Sequence, residues 1–592
     1  MKKYSILIFI AFVGQQIIAQ NKPKNNKAKD SIKTEVIEVI TTYAPKVTDA
    51  YKIKKKPIIK LSDNVKRKAL NYGIKSIPVA STYKPKSGVL KGIDIGDRER
   101  LFDNYISLGF GNNTTPFVEG YFHNNSAFEY EYGGKLKFIA SSDPVVNTPL
   151  SSSYYNASVD LFLKQEMRYF DWKLGFNAFR NKYNWYGLPS NIDFSEAALS
   201  NIEDSQTYKY YAINGEIDLP DSSLEKIEGS IGYFADSFES DEINADLKGT
   251  FSFPLGRFGL NLDDLELGTS INYLAGGFNR SYSALDKIDY SFAVAGIHPT
   301  YLFRAYNFDI KLGAKAYFSL DIENSGNQFF AYPDIEINYP IIPKFANIYV
   351  GATGDLQTNS YRSLSNSNPY ISPTATIIQT NNVVNGFGGL RGILSGDLNY
   401  DLRAGLSITN NMPLFIVNPS KSNGLSTTDT NGFTLKEYEF GNSFNIVYDN
   451  IRTINFSGEI NYDYSRHLNL GMNVSFNSYN LDTQDHAWNL PELKADIFAN
   501  YKEKKWYAAA NLYFVGNRKG ALYNAGTIDS IIDLSSYIDI NLNGGYHIND
   551  LFSVFLRANN IANNNYQTFT NFNAQGIQVI GGIIWKFDSF FE

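Results

Sequence analysis

The chain has 592 residues, of which 43% are hydrophobic and 15% aromatic, and its mean hydropathy is −0.27. After residue 20, no apolar run approaches the roughly 18 residues that a membrane-spanning helix needs, which excludes a helical membrane protein. The lack of cysteine excludes a disulfide framework, a cysteine-based metal site, a thiol nucleophile and a lipid anchor on cysteine.

Residues 1–20 are predicted to be a secretory signal peptide. Lys2 and Lys3 provide a positive start, Ile6 to Val13 an apolar centre, and Ala19 a small residue at the cleavage site. The alternative, a buried N-terminal strand, fits this arrangement less well. Export leaves the periplasm, the outer membrane or the medium as the destination.

Residues 21–100 are predicted to form a basic N-terminal periplasmic arm. The segment contains 20 Lys and Arg residues against 8 Asp and Glu residues, a net charge of +12, which leaves −20 on residues 101–592. Four prolines between residues 45 and 85 interrupt regular structure, so the arm is expected to be extended with a few short ordered pieces. Its densest basic cluster is Lys52, Lys54, Lys55, Lys56 and Lys60.

This lysine cluster needs an acidic counterpart. Nucleic acid would suit its charge, but the predicted signal peptide implies export, and export excludes nucleic acid as the partner. An acidic barrel wall or an anionic membrane surface is favoured instead. We therefore expect part of the arm to lie at the periplasmic mouth of the barrel; the alternative is a free periplasmic tail.

Residues 101–592 repeat one pattern, an alternating run followed by a polar turn. Phe308 to Leu320 alternates apolar and polar residues, and Ile454 to Tyr464 with Leu468 to Phe476 resembles a hairpin. Only β-structure places every second residue on one face. Runs of about ten residues suit tilted membrane-spanning strands with a lipid face and a polar lumen face.

The fold class predicted is all-β, a transmembrane antiparallel β-barrel of about 18–22 strands in residues 101–592, preceded by the arm. Short turns, such as that at Asn549 and Asp550, are expected at the periplasmic end. Longer segments, at Pro189 to Gln206, Leu356 to Asn382, Val417 to Asn431 and Gly516 to Asp533, are expected to face outward.

No catalytic, cofactor-binding or metal-binding constellation is predicted. The five histidines are scattered, and none has a partner at the spacing of a helical zinc motif. Asp236 to Asp246 holds five carboxylates, which suits either a calcium site or a solvated acidic turn. The turn is favoured because the central glycine of a calcium loop is missing, and we expect the protein not to be an enzyme.

The last sixty residues carry a family resemblance. Ala558 to Ile561, then Asn565 and Tyr566, then a final strand from Gly581 to Phe587, resemble the closing strands of TonB-dependent outer-membrane receptors. Ser76 to Tyr83, Arg98 to Tyr105 and Asn184 to Pro189 resemble a Bacteroidota subset of these proteins that lacks a full plug domain.

The resemblance implies a location in the cell outer membrane, contact with its lipid, and solute uptake or diffusion. In the family, a short segment near the mature N-terminus pairs with a periplasmic energy-coupling protein. The segment that resembles it here is Glu35, Val36, Ile37, Glu38, Val39, Ile40 and Thr41. The short basic arm departs from the family's large plug, which puts energised transport in doubt.

Two functions stay open from the sequence. The first is passage of a solute through the lumen, with the arm in place of the plug. The second is a non-transporting scaffold for an envelope complex. An unblocked polar lumen favours the first, and a lumen filled by the barrel's own side chains and loops favours the second.

Overall fold

The computed structural model describes residues 100–125, 130–255, 265–429, 432–524 and 527–588. Within these residues it contains 26 strands and two short helices. The first thirteen strands are β1 (Asn104–Gly111), β2 (Thr115–Asn125), β3 (Glu131–Ser141), β4 (Tyr154–Glu166), β5 (Asp171–Asn184), β6 (Ser205–Asp218), β7 (Leu224–Ala235), β8 (Asp241–Phe253), β9 (Leu265–Phe278), β10 (Ile288–Ala305), β11 (Phe308–Asp321), β12 (Gly326–Ile342) and β13 (Ala346–Gln357).

The second half of the chain contains strands of very different lengths. The remaining strands are β14 (Thr380–Ser395), β15 (Leu398–Val417), β16 (Phe444–Asp463), β17 (Leu468–Leu481), β18 (Leu493–Lys502), β19 (Trp506–Val515), β20 (Arg518–Asn524), β21 (Thr527–Leu534), β22 (Tyr537–His547), β23 (Phe552–Asn559), β24 (Gln567–Phe569), β25 (Phe572–Asn573) and β26 (Gln578–Phe587). The helices are α1 (Glu196–Leu199) and α2 (Tyr361–Ser367).

Twenty-two of the described strands form one closed antiparallel barrel. Each barrel strand pairs with the next one along the chain, with β20, β21, β24 and β25 left out of the ring. The ring closes where β1 pairs with β26, from Asn104 opposite Phe587 to Gly111 opposite Ile580. Closure leaves no unpaired sheet edge, the condition that a membrane-spanning sheet must meet. The strand number is the upper limit of the predicted range.

The two faces of the wall differ as the alternation predicts. Ile213 and Ile231 lie opposite each other on β6 and β7 and face outward with 60% and 64% exposure. Their neighbours Asn214 and Ser230 face the lumen. An apolar outer face on a closed barrel is suited to lipid, so the barrel spans a membrane, and this architecture belongs to outer membranes.

Aromatic side chains lie where the apolar face ends. Near the end that carries both chain ends of the barrel, Tyr501 stacks on Trp506 at 4.4 Å between ring centroids. Phe552 lies parallel to Trp585 in the same zone. Aromatic girdles of this kind sit at the lipid headgroup level of outer-membrane barrels.

The longest connections all lie at one end of the barrel, and most connections at the other end are short. Two residues, Tyr306 and Asn307, join β10 to β11, and two join β14 to β15. At the other end the connections 185–204, 358–379, 418–443, 516–536 and 560–577 are long. The short-turn end is therefore the periplasmic end and the long-loop end the outer one, as predicted.

Two of the long outer connections contain regular secondary structure. The segment predicted as the outer loop Gly516 to Asp533 contains the separate hairpin β20–β21. Leu356 to Asn382 contains α2, which begins after the N-cap residue Ser360 with a reciprocal capping box to Ser363. Among the described residues, no helix has the length and apolar character needed to cross a membrane.

Candidate functional site

Outer loops from opposite walls meet over the mouth of the lumen. The side-chain amide of Asn442, in the β15–β16 loop, donates to the backbone oxygen of Trp185, in the β5–β6 loop, at 2.8 Å. The Trp185 and Tyr438 rings pack edge to face at 5.7 Å. These loops are ten strands apart in a ring of 22, so their contact crosses the mouth. We call residues 142–153, 185–204, 279–287, 358–379, 418–429, 432–443 and 560–577 the outer cap.

The centre of the outer cap is an aromatic core. Tyr370 stacks on Phe572 with 3.7 Å between ring centroids, and Tyr186 packs edge to face against both. The Tyr186 hydroxyl donates to the backbone oxygen of Asn573 at 2.8 Å. Phe444, beside this group, is fully buried. The three loops that supply these rings are held together by a core that resembles a protein interior.

Helix α2 folds inward and packs on the lumen side of the wall. Tyr361, at its start, has no exposed surface and contacts Phe234, Phe278 and Tyr208, all on inward-facing positions of β6 to β9. The segment 358–379 thus fills the outer part of the lumen along strands β6 to β10. A second apolar cluster, around Trp488, closes the side near β15.

Two buried carboxylates anchor α2. Glu242, on β8, is 2% exposed and accepts from the backbone N–H groups of Tyr361 and Arg362 and from the Tyr290 hydroxyl. A carboxylate at this position satisfies free N–H groups of the first helical turn. Asp236, in the β7–β8 loop, accepts from the Tyr361 hydroxyl at 2.9 Å, and burial raises the pKa of its carboxyl.

The burial of these two residues contradicts the solvated acidic turn that was expected from Asp236 to Asp246. Asp236 and Glu242 are buried and bind backbone and tyrosine groups, whereas Asp246 lies on the lumen wall and binds Asn272. The carboxylates therefore point to different partners. No cluster of metal-ligating side chains occurs among the described residues.

An ion cluster links the β9–β10 loop to the β15–β16 loop of the outer cap. Glu439 is 1% exposed and pairs with Arg280, from the β9–β10 loop, and with Lys421 at 2.6 Å. Tyr282 also donates to the backbone oxygen of Pro419 at 2.7 Å. A buried carboxylate with two cations and hydrogen bonds fixes the relative position of these loops.

Beneath the outer cap the lumen wall is polar. A cavity of about 550 Å³ lies against β4 to β8, and one of about 530 Å³ against β13 to β19. The first is lined by charged, amide and small residues: Asp160, Lys173, Asn177, Glu216, Glu228 and Lys248. The second is lined by a similar mixture: Asp401, Arg403, Glu459, Asn473, Lys494 and Asp496. Such a wall suits a water-filled compartment.

Ion pairs and amide ladders order this wall. Lys226, on β7, pairs with Glu216 on the neighbouring strand β6 at 2.7 Å and with Glu228 on its own strand at 3.1 Å. Asn177 donates to Asp160 at 2.6 Å. The residues that line the two cavities carry both signs of charge, with seven acidic against four basic side chains.

One histidine has both a carboxylate and a hydroxyl beside it. His298 Nε2 lies 2.7 Å from Asp334 Oδ2 and 3.2 Å from Thr300 Oγ1. In a catalytic triad the carboxylate and the nucleophile hydroxyl contact different ring nitrogens. Here both contact Nε2, and Lys311 also pairs with Asp334, so the group is better explained as part of the wall's ion network.

The residues predicted as partner contacts lie outside the described part of the chain. These are the segment Glu35 to Thr41 and the basic cluster Lys52 to Lys60. The outer cap was not predicted as a site. Its only sequence signal is a set of aromatic residues in long polar loops, such as Trp185, Tyr370 and Phe572, where alternation of a strand does not explain them.

No protein-family model matches the sequence, and no curated protein sequence matches it. Solved structures do resemble the barrel. The pyoverdine outer membrane receptor FpvA from Pseudomonas aeruginosa PAO1 has a TM-score of 0.59 at 12% identity, over 83% of this chain and 79% of that chain. The FrpB iron transporter from Neisseria meningitidis has a TM-score of 0.60 at 10% identity, over 83% of this chain and 82% of that chain. The siderophore receptor PirA from Acinetobacter baumannii has a TM-score of 0.59 at 12% identity, over 82% of this chain and 80% of that chain. The TM-scores show a shared barrel fold, and at these identities the likeness shows the fold alone.

Proposed function

We propose that the protein takes up a solute across the outer membrane through its lumen, and that the outer cap is the closed gate of this path. The observation that carries the proposal is the polar wall with its two cavities beneath a packed cap. A compartment lined by ions and amides is suited to hydrated solutes. The structural likeness to a pyoverdine receptor and an iron transporter supports the same class of function.

A permanently open diffusion pore does not fit the outer cap. Phe234, Phe278, Tyr361 and Phe440 are each less than 2% exposed. Fully burying such a side chain is worth about 1.5–3 kcal/mol, so exposing all four costs about 6–12 kcal/mol. At equilibrium this leaves about one molecule in 10⁴ or fewer open. Opening therefore needs free energy from a bound solute or from another protein.

We propose that a periplasmic energy-coupling protein supplies this free energy through Glu35 to Thr41. We also propose that the protein belongs with receptor-like barrels of Bacteroidota that work without a full plug. The support is that residues 358–379 already occupy part of the lumen. The basic arm, residues 21–100 with Lys52 to Lys60, is proposed to lie near the periplasmic mouth.

A second candidate function is a scaffold without transport, and the packed outer cap favours it too. In that case the cap is a permanent part of the fold and the arm recruits an envelope partner. No enzymatic activity is proposed, because the histidine geometry at His298 does not match a triad.

Liposome swelling separates the two functions. Proteoliposomes with the intact chain should swell slowly in small sugars. Replacing residues 359–378 by a short Gly–Ser linker should raise the rate at least about tenfold if the lumen beneath is open. The matched control, Leu285→Ala, changes a side chain of the same end that is 80% exposed and should leave the rate unchanged. A linker variant that folds but stays closed would favour the scaffold.

A further inference from the structure

Three basic side chains lie together on the outer surface of the barrel near its outer end. On β5, Lys173 and Asn177 line the lumen cavity, so Arg180 and Lys182 alternate to the opposite face. On β6, Asn214 lines the lumen, which places Lys209 outward in the same way. Arg180 is exposed, and Lys182 and Lys209 are half-buried.

The arrangement of two of these cations is unfavourable by itself. Arg180 and Lys209 lie directly opposite each other on paired strands. Side chains at such positions have Cβ atoms about 5 Å apart, and like charges there are destabilising. No carboxylate forms an ion pair with either residue in the part of the chain that the structure describes. Instead, the Arg180 guanidinium lies 5.9 Å from the ring of Tyr155, on β4.

The third cation has an acidic neighbour. Lys182 lies one outward step beyond Arg180, toward the β5–β6 loop, and its charge acts on the carboxyl of Asp204. This neighbour does not compensate the opposed pair of Arg180 and Lys209. The cluster is therefore short of negative charge at the position where the two strands bring their cations together.

The cluster lies just beyond the lipid-facing belt. Tyr211 and Tyr233 are opposite each other on β6 and β7 and are 47% and 42% exposed. Lys209 is two residues beyond Tyr211, about 7 Å further toward the outside. Interfacial tyrosines mark the headgroup level of a bilayer. Lys209 and Arg180 are thus placed where the headgroups of outer-leaflet lipids lie.

We propose that Arg180, Lys182 and Lys209 bind a phosphate group on the headgroup of an outer-leaflet lipid. Arginine can hold phosphate with two parallel N–H bonds, and the lysines add point charges. The Tyr155 ring limits the positions open to the Arg180 side chain. A bound phosphate would also remove the repulsion between the opposed cations, which explains why this pairing is tolerated.

A comparison within the same barrel gives the control. Arg452, on β16, also faces outward near this end, because it alternates with the lumen-facing residues Ser457 and Glu459. It stands opposite Ile408 and Asn480 rather than another cation. A site made by paired cations should therefore be present at β5–β6 and absent at β16.

The test is a native mass spectrometry titration of the full chain in detergent. The probes are diphosphorylated lipid A, the same lipid without phosphates, and inorganic pyrophosphate. The double variant Arg180→Gln/Lys209→Gln should bind diphosphorylated lipid A about 30-fold more weakly than the unaltered chain, which corresponds to about 2 kcal/mol. Arg452→Gln should bind as the unaltered chain does.

Three results would overturn the proposal. The first is equal binding of the phosphorylated and dephosphorylated lipids. The second is an unchanged affinity in the double variant. The third is that pyrophosphate binds as tightly as the lipid, which would make the site one for a free anion. Heat modifiability on gels verifies that the double variant folds, and the loss of like-charge repulsion favours its folding.

Discussion

The barrel wall and the outer cap are held together in different ways. In the wall, each residue's backbone is fixed by the neighbouring strand, and its side chain faces either lipid or a polar lumen. In the outer cap, loops far apart in the ring are fixed by side chains, through the ring stack of Tyr370 and Phe572 and the anchors Asp236 and Glu242. The wall should therefore tolerate changes on its lumen face, and the cap should depend on a few buried groups.

The largest effect is expected at Tyr361, the main apolar anchor of helix α2 in the outer cap. Tyr361→Ala should cost the closed cap about 3–5 kcal/mol, because it leaves a cavity in a fully buried position. Trypsin cleavage after the adjacent Arg362, which requires α2 to leave the lumen, should then accelerate by about two to three and a half orders of magnitude. Tyr361→Phe, which loses only the bond to Asp236, should accelerate it far less. Equal effects of the two variants would contradict ring packing as the main contribution.

The second prediction concerns the wall. Met472, on β17, faces lipid beside the outward Ile497, and Asn473 lines a lumen cavity. Met472→Arg should cost about 2–4 kcal/mol if the position is near the midplane of the bilayer. Asn473→Arg should be tolerated beside Glu459 and Asp496. Urea unfolding in liposomes measures both, and similar costs would mean that the face assignment of β17 is wrong.

The third prediction separates the carboxylate anchor from the rings. Glu242→Ala leaves the N–H groups of Tyr361 and Arg362 without their acceptor. The cost of unsatisfied buried donors is about 1–3 kcal/mol, so the same cleavage assay should show an intermediate acceleration. Glu239→Ala, at an exposed position in the same acidic stretch, is the control. No change in the Glu242 variant would show that packing alone holds the helix.

The smallest effect is a dependence of cap stability on pH. Asp204, at the end of the β5–β6 loop, has a buried Oδ2 without a described hydrogen-bond partner, and burial raises the pKa of its carboxyl to about 6. Because the folded cap binds this proton more tightly than the unfolded loop, its contribution is present below about pH 4 and is lost as pH rises to about 6.

The near-UV circular dichroism signal of the aromatic core should therefore melt at a higher temperature at pH 4 than at pH 7. Asp204→Asn should raise the melting temperature at pH 7 and reduce the difference between the two pH values. Lys182 and Asp143 also act on this carboxyl, so they are kept unchanged in the comparison. A larger difference in the variant would contradict the assignment.

The wall could be predicted from the sequence because its pattern is local. Ile454 to Tyr464 and Leu468 to Phe476 show the period of two, and the structure pairs them in β16 and β17 as expected. The outer cap could not be predicted in this way. Its contacts join residues such as Trp185 and Asn442, which are 257 positions apart and belong to loops without periodicity. Glu242 lies within a stretch of carboxylates, and only the fold distinguishes it from its exposed neighbours.

The basic arm stays a prediction, and the outer cap changes how it must be tested. Deleting residues 21–95 is expected to raise single-channel conductance if the arm obstructs the lumen. While the outer cap is closed, the same deletion should leave the conductance unchanged, because the lumen is still blocked at its outer end. The deletion should therefore be compared in chains that carry the 359–378 linker, where a further rise in conductance would support an arm in the periplasmic mouth.

The most direct test of the closed cap is thiol labelling from outside the cell. Because the chain has no cysteine, Asn177→Cys places one thiol on the lumen wall beneath the cap, and Leu425→Cys places one on an outer loop that is 70% exposed. A membrane-impermeant maleimide should label Cys at 425 rapidly and should label Cys at 177 only when residues 359–378 are replaced by the linker. Labelling at both positions at similar rates in chains with an intact cap would contradict a closed lumen.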